Sequence, residues 1–195
     1  MNELLIDAEL PDVFHREPVR RARAFAEAAH EAICHRRKYT GEPYTAHLAR
    51  VACTVAAVTE DEQTIAAAWL HDVVEDTPIT LAEIEREFGT GIATLVAALT
   101  DVPHDAGNRH QRKALDRARL AVAGPRAQTV KYADIYDNAP DICIHDPHFA
   151  RLYVRECSAL LSVMTAGDAH LRARTEETLR ECRRRLAERS DGWKK

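Results

Sequence analysis

The chain has no excess of positive charge: 27 Lys and Arg stand against 31 Asp and Glu, for a net charge of -4. Without a basic field, neither nucleic acid nor an anionic membrane surface is an expected partner, although a few local Lys or Arg could still receive an anionic small molecule. No apolar run approaches the ~20 residues needed to span a bilayer. The start Met1-Asn2-Glu3-Leu4-Leu5-Ile6-Asp7 lacks both the basic region and the long apolar stretch of a secretion signal. The five cysteines (Cys34, Cys53, Cys143, Cys157, Cys182) are odd in number and contain no C-x-x-C pair. They form no disulfide framework, and reduced thiols in a cytoplasmic protein are expected. Alternating hairpin patterns, repeats, low-complexity tracts and linkers are also missing.

What is present reads with a helical period almost throughout. Residues 18–38 place Phe25, Ala28, Ala29, Ala32 and Ile33 on one stripe, 45–58 are Ala/Val-rich, and 62–75 run on from an apolar stretch. Thr80-Leu81-Ala82-Glu83 is a capping box opening a short helix that stops at Phe88-Gly89, and Ile92, Leu95, Val96 and Leu99 begin another. Helices over 109–122 and 126–138 follow, the second ending before Pro140. Asp146 and Pro147 open one that runs to Met164. Leu171, Thr175, Leu179, Cys182 and Leu186 mark the buried stripe of the last, whose Arg and Glu residues interleave as an ion-paired face. The expected fold is all-α: one helical bundle over 18–190, with an extension at 1–17 and a tail at 191–195.

The chemistry concentrates in His71-Asp72-Val73-Val74-Glu75-Asp76-Thr77. On a continuous helix His71 and Glu75 share one face, and Asp72 and Asp76 pair beside them. An imidazole with a carboxylate suits a borderline divalent metal such as Mn, Fe or Zn, and two further acids one turn on are placed to orient or deprotonate a metal-bound water. One His-Asp pair cannot hold a metal alone. His47 and Asp134 complete an ordered set: His47, His71, Asp72, Asp134. The apolar neighbours of Asp134 (Val130, Ala133) point to a partner or metal for its carboxylate. Two other such pairs, His104-Asp105 and His145-Asp146, sit beside prolines with no acid pair after them and read as solvated turns. His30 and His35, on the first helix, read as non-ligands.

The blocks Gly41-Glu42-Pro43-Tyr44-x-x-His47, His71-Asp72-Val73-Val74-Glu75-Asp76-Thr77, Phe88-Gly89, Leu95-Val96-x-x-Leu99-Thr100-Asp101 and Lys131-x-Ala133-Asp134-x-x-x-Asn138 come in this order. With them the chain resembles the HD-domain metal-dependent phosphohydrolases, and within these the RelA/SpoT-type alarmone hydrolases, including the small stand-alone kind. The resemblance implies Mn²⁺ held by His47, His71, Asp72 and Asp134, and Glu75 and Asp76 as the catalytic acid pair. It implies substrate contacts from Arg37, Lys38, Asn138 and Tyr153. Lys131 reads equally as a phosphate contact or as a partner of a carboxylate. The activity implied is removal of the 3′-pyrophosphate of (p)ppGpp or a close analogue, so the expected partner is a small nucleotide.

Several positions depart from that pattern. The family string resembles Lys-Leu-Ala-Asp-Arg-Leu-His-Asn-Leu-Arg, whereas here Ile135 and Pro140 replace two basic residues and Asp137 adds a negative charge; Leu48 follows His47 where Pro is usual. These changes are expected to alter the substrate wall, with Arg36, Arg37, Lys38, Lys131, Arg112 or Lys113 as candidates to compensate. A different nucleotide (an adenine alarmone, NADPH or another phosphoester) and a non-catalytic nucleotide-binding or antitoxin-like module are the rival readings.

Overall fold

The computed structural model describes residues 11–191; the N-terminal heptapeptide and nearly all of the expected tail lie outside them. The described residues form α1 (Glu17–Ala32), α2 (Thr45–Ala56), α3 (Glu62–Leu70), α4 (Val73–Asp76), α5 (Leu81–Leu99), α6 (Arg109–Val122), α7 (Pro125–His145), α8 (Pro147–Leu161) and α9 (Ala169–Asp191), with 3₁₀ turns at Asp12–His15 and His104–Ala106. No sheet is present among them. The all-α expectation is met.

The bundle is built around α3. Ile65 through Leu70 are buried on every side, and α3 packs on α1, α2, α5 and α7. A helix apolar all round must sit in the interior, and three successive alanines (Ala66, Ala67, Ala68) let neighbouring backbones approach closely. Asp61 starts α3 by accepting from Thr64 N at 3.1 Å. Val13 and Phe14 join the core, with Phe14 meeting Trp69 edge-on. The second half of the chain forms a layer in which α7 packs on α2, α8 and α9.

Local signals set several boundaries. The Thr80–Glu83 capping box is formed, with Glu83 Oε2 accepting from Thr80 N at 2.8 Å. Gly89, at φ 79°, breaks the helical path within α5, so the two expected helices are one element with a kink. Asp146 caps α8 by accepting from Phe149 N at 3.0 Å. A second capping box, Asn108 with Gln111, opens α6, with a sequence signature of its own in Asn108-x-x-Gln111.

Four expectations are corrected. First, α1 ends at Ala32, and Cys34, at φ 50°, turns the chain into an irregular segment carrying His35. Its buried stripe is Val19, Ala22, Ala26 and His30, while Ala28, Ala32 and Ile33 face solvent. Second, residues 62–75 are not one helix. His71 Nδ1 donates to Ala68 O at 2.8 Å, occupying the carbonyl that an α-helix would offer to Asp72 N–H, and the chain breaks between α3 and α4. His71 and Glu75 therefore do not share a helical face. Third, α7 continues through Pro140 to His145. An interior proline costs ~3 kcal/mol; here Ala139, Ile142 and Cys143 are buried around it, and the Cys182 thiol of α9 donates to Ala139 O at 3.6 Å. Fourth, the His145–Asp146 pair is not a solvated turn: His145 ends α7 and stacks on Tyr39 while Asp146 caps α8, whereas His104–Asp105 is exposed in a 3₁₀ turn, as expected.

Candidate active site

Three elements meet at one point. α2 supplies His47, the break between α3 and α4 supplies His71 and Asp72, and α7 supplies Asp134. One donor atom each from His47, His71 and Asp72 lie within 4.8 Å of one another. Asp72 Oδ2 is 3.6 Å from His47 Nε2 and 3.1 Å from His71 Nε2. Asp134 Oδ1 approaches the same nitrogens, at 3.5 and 3.8 Å. The fold thus brings together all four residues singled out in the sequence.

The donors fit a divalent cation. Both Nε2 atoms are buried without a hydrogen-bond partner, an arrangement that is costly unless something else occupies the nitrogen. Both Nδ1 atoms are engaged, His47 with Asp137 Oδ2 at 2.6 Å and His71 with Ala68 O at 2.8 Å. A proton held on Nδ1 by such an acceptor leaves the Nε2 lone pair for a metal. The Tyr44 hydroxyl donates to Asp72 Oδ2 at 2.6 Å, and Lys131 Nζ pairs with Asp134 Oδ2 at 2.8 Å.

The electrostatics follow from this crowding. Burial works to lower His47, but the surrounding carboxylates of Asp134, Asp137 and Asp72 outweigh it and push the imidazole up to about 9. Burial opposes ionisation of Asp134, yet Lys131 and the two histidines hold its carboxyl well below the usual range. Asp134 in turn keeps Lys131 charged against its own burial.

A cleft of about 720 Å³ opens beside this point, and Glu75, Asp76, Lys131, Asp134, Ile135 and Asn138 all line it. Desolvation in the cleft and the nearby carboxylates of Asp101 and Asp72 push Glu75 up to about 7. Desolvation and Asp72 push Asp76 up to about 6. Glu75 Oε2 accepts from Asp101 N at 3.1 Å, and His35 Nδ1 lies 4.0 Å from Asp76 Oδ2. Both acids can therefore exchange protons near neutral pH.

The candidate substrate residues divide. Tyr153 lines the cleft beside Phe149. Asn138 reaches the cleft, but its amide is committed: it donates to Asp134 Oδ1 at 2.6 Å and accepts from Arg37 Nη1 at 2.6 Å. Arg37 is 9% exposed and bound to Asn138 and to Asp141 at 3.0 Å; it does not line the cleft. Lys38 lies over the Tyr39 ring towards Asp146 with its side chain 75% exposed, also away from the cleft. Lys131 resolves as the partner of Asp134 while still touching the cleft. Asp137 does not add charge to the substrate wall: its carboxylate faces His47 and Arg50.

The basic wall comes largely from α6. Arg109, Arg112, Lys113 and Arg117 line the cleft, at the spacing of one helical face. Arg109 is fixed by Glu156 through contacts of 2.9 and 2.7 Å and lies over the Phe149 ring. Lys113 pairs with Asp101 and Asp116, while Arg112 Nε is buried without a partner. The i, i+3, i+4, i+8 spacing of these cations in the sequence is the signal from which this basic face is legible.

Comparison with known proteins places these features in context. Residues 22–167 match the family described as HD domain. Over 131 residues the chain is 35% identical to the Aquifex aeolicus protein named guanosine-3′,5′-bis(diphosphate) 3′-pyrophosphohydrolase, covering 67% of this chain and 18% of that one. A Drosophila melanogaster protein of the same enzyme name is 36% identical over 107 residues, 54% of this chain and 59% of its own length. The chain therefore spans less than two thirds of these relatives. Among solved structures, one described as a metazoan ortholog of SpoT that hydrolyzes ppGpp superposes with a TM-score of 0.75 at 27% identity, covering 85% of this chain and 96% of that one.

Proposed function

The chain belongs to the HD-domain family, and from that premise we propose that it is a divalent-metal phosphohydrolase acting on a nucleotide that carries a pyrophosphate, with the 3′-pyrophosphate of (p)ppGpp as first candidate. The observation that carries the reading is the pair of buried, unpartnered Nε2 atoms of His47 and His71 facing Asp72 and Asp134 beside a cleft with cationic walls. Mixed nitrogen and oxygen donors suit a borderline ion, and Mn²⁺ is the one we assign. When bound, such an ion acidifies a water and polarises a phosphoryl oxygen.

The remaining work falls to the side chains. Glu75 and Asp76 accept the proton of the attacking water, and their raised carboxyls suit that exchange. Arg109, Arg112, Lys113 and Arg117 bind phosphate oxygens and offset the charge that builds as the ribose 3′ oxygen departs and pyrophosphate is released. Tyr153, with Phe149, borders the space for the nucleoside. A different nucleotide remains the second reading, favoured by Ile135, which places an apolar side chain on the cleft. A binding module without catalysis is disfavoured because such a module has no need of an acid pair in its cleft.

Incubating the purified protein with Mn²⁺ and ppGpp, pppGpp, ppApp or NADPH, then identifying the products, tests the assignment. Pyrophosphate and the nucleoside 5′-diphosphate as products from ppGpp support it. Turnover of ppApp or NADPH alone moves it to the second reading, and turnover of none with metal bound removes catalysis.

A further inference from the structure

We propose that Asp137 is a positioning residue, steadied by Arg50, that fixes the ring orientation and tautomer of His47 for metal binding; the inference rests on the metal reading above. His47 is completely buried, and each of its ring nitrogens meets a carboxylate of the same helix. Asp134 and Asp137 stand three residues apart on α7, so both side chains leave one face towards α2. Asp134 Oδ1 faces Nε2 at 3.5 Å, and Asp137 Oδ2 meets Nδ1 at 2.6 Å. The first nitrogen lacks a hydrogen-bond partner while the second has a charged one.

That difference decides what the ring can do. A metal on Nε2 requires the proton on Nδ1, and an anionic acceptor on Nδ1 both keeps it there and makes the opposite nitrogen a stronger donor. Asp137 cannot easily turn aside. Arg50 Nε donates to its Oδ1 at 2.6 Å, Arg50 Nη2 lies 3.3 Å from Oδ2, and Arg37 Nη2 lies 3.9 Å away. Arg50 leaves α2 one turn after His47, so α2 presents the ring and a clamp for its acceptor together. His71 has only the backbone carbonyl of Ala68 in the equivalent place. The two imidazoles therefore differ in outer support, and His47 is the one with a mutable anion behind it.

The test is Mn²⁺ titration of the metal-free protein, with no substrate present. Loss of an outer partner of a metal-bound histidine weakens metal binding by roughly 10–100-fold, and Asp137→Ala is expected in that range. Asp137→Asn keeps a neutral acceptor for Nδ1 and is expected to lose about three- to tenfold, since charge-assisted hydrogen bonds are roughly twice as strong as neutral ones. Arg50→Ala removes the clamp but leaves the acceptor on His47, with Arg37 still 3.9 Å from it, so its loss of Mn²⁺ affinity is expected to be smaller than that of Asp137→Ala. Wild-type affinity in Asp137→Ala overturns the proposal. So does an Arg50→Ala loss equal to that of Asp137→Ala, the pattern of a purely structural ion pair. Should Asp137→Ala fail to fold, undiminished affinity in Asp137→Asn is decisive against it. A wild-type protein that binds no Mn²⁺ removes the metal reading itself, and this inference with it.

Discussion

Asn138 Nδ2 donates to Asp134 Oδ1 at 2.6 Å, the same oxygen that faces the Nε2 atoms of His47 and His71. Asn138 therefore supports the cluster of candidate ligands from one helical turn along α7, and its carbonyl closes the circuit by accepting from the largely buried Arg37. Asn138→Ala leaves a buried guanidinium short of one acceptor. The expected cost is about 1–3 kcal/mol, the penalty for an unsatisfied buried polar group. Urea unfolding of the metal-free protein measures it, and a loss under 0.5 kcal/mol, roughly the scatter of surface substitutions, would sink the idea.

Glu75→Gln and Asp76→Asn are each expected to lower turnover by ~10²–10⁴-fold, the usual contribution of a positioned acid–base group. Metal binding should persist, since neither side chain belongs to the compact His47–His71–Asp72 cluster. Turnover is compared at saturating Mn²⁺ with metal content measured alongside. Unchanged activity at full occupancy would take that residue out of the mechanism.

Glu75 also sets a pH dependence of stability. Its folded carboxyl is raised from 4.5 to about 7, so ionisation is easier in the unfolded chain. The penalty is absent below about pH 4.5, grows as pH rises, and is complete above about pH 7. In the metal-free protein, Glu75→Gln should raise the melting temperature at pH 8 and change it little at pH 4. An equal shift at both values would show that ionisation is not the cause.

Ile135 is 1% exposed yet forms part of the cleft wall. Ile135→Arg would have to extend its guanidinium into the cleft to avoid burying a charge. One added charge-assisted contact is worth about 1.5–3 kcal/mol, or tenfold and more in kcat/KM for a polyphosphorylated substrate. The comparison is between ppGpp and ppApp in both proteins. Efficient ppGpp turnover by wild type, with no gain in the variant, would show that Ile135 has no bearing on substrate choice.

Much of the fold was legible because its signals are local. The capping box at Thr80–Glu83 and the cap at Asp146 act within one turn of their own position. The apolar stripe of α9 at Leu171, Thr175, Leu179, Cys182 and Leu186 is buried as its period requires, and Arg172, Arg180, Arg184 and Arg185 pair with glutamates on the same helix. The helix boundaries that failed did so where a side chain or distant packing competes with the backbone. His71 takes a carbonyl that would extend α3, and the packing of α9 carries α7 past Pro140.

By itself, then, the sequence determined the helical class and the chain order of the four candidate ligands, because periodicity, capping and residue chemistry need no knowledge of distant neighbours. The tertiary structure alone decided which charges face the cleft. Arg37 turns inward to Asn138 and Asp141, Lys38 turns outward, and α6 supplies a basic wall. It also decided that Asp137, read as part of the substrate wall, meets His47 from 90 positions away. Such contacts depend on how α2 and α7 are rotated about their axes when they pack. That rotation is set by the shape of the whole core rather than by any residue within a turn of the site.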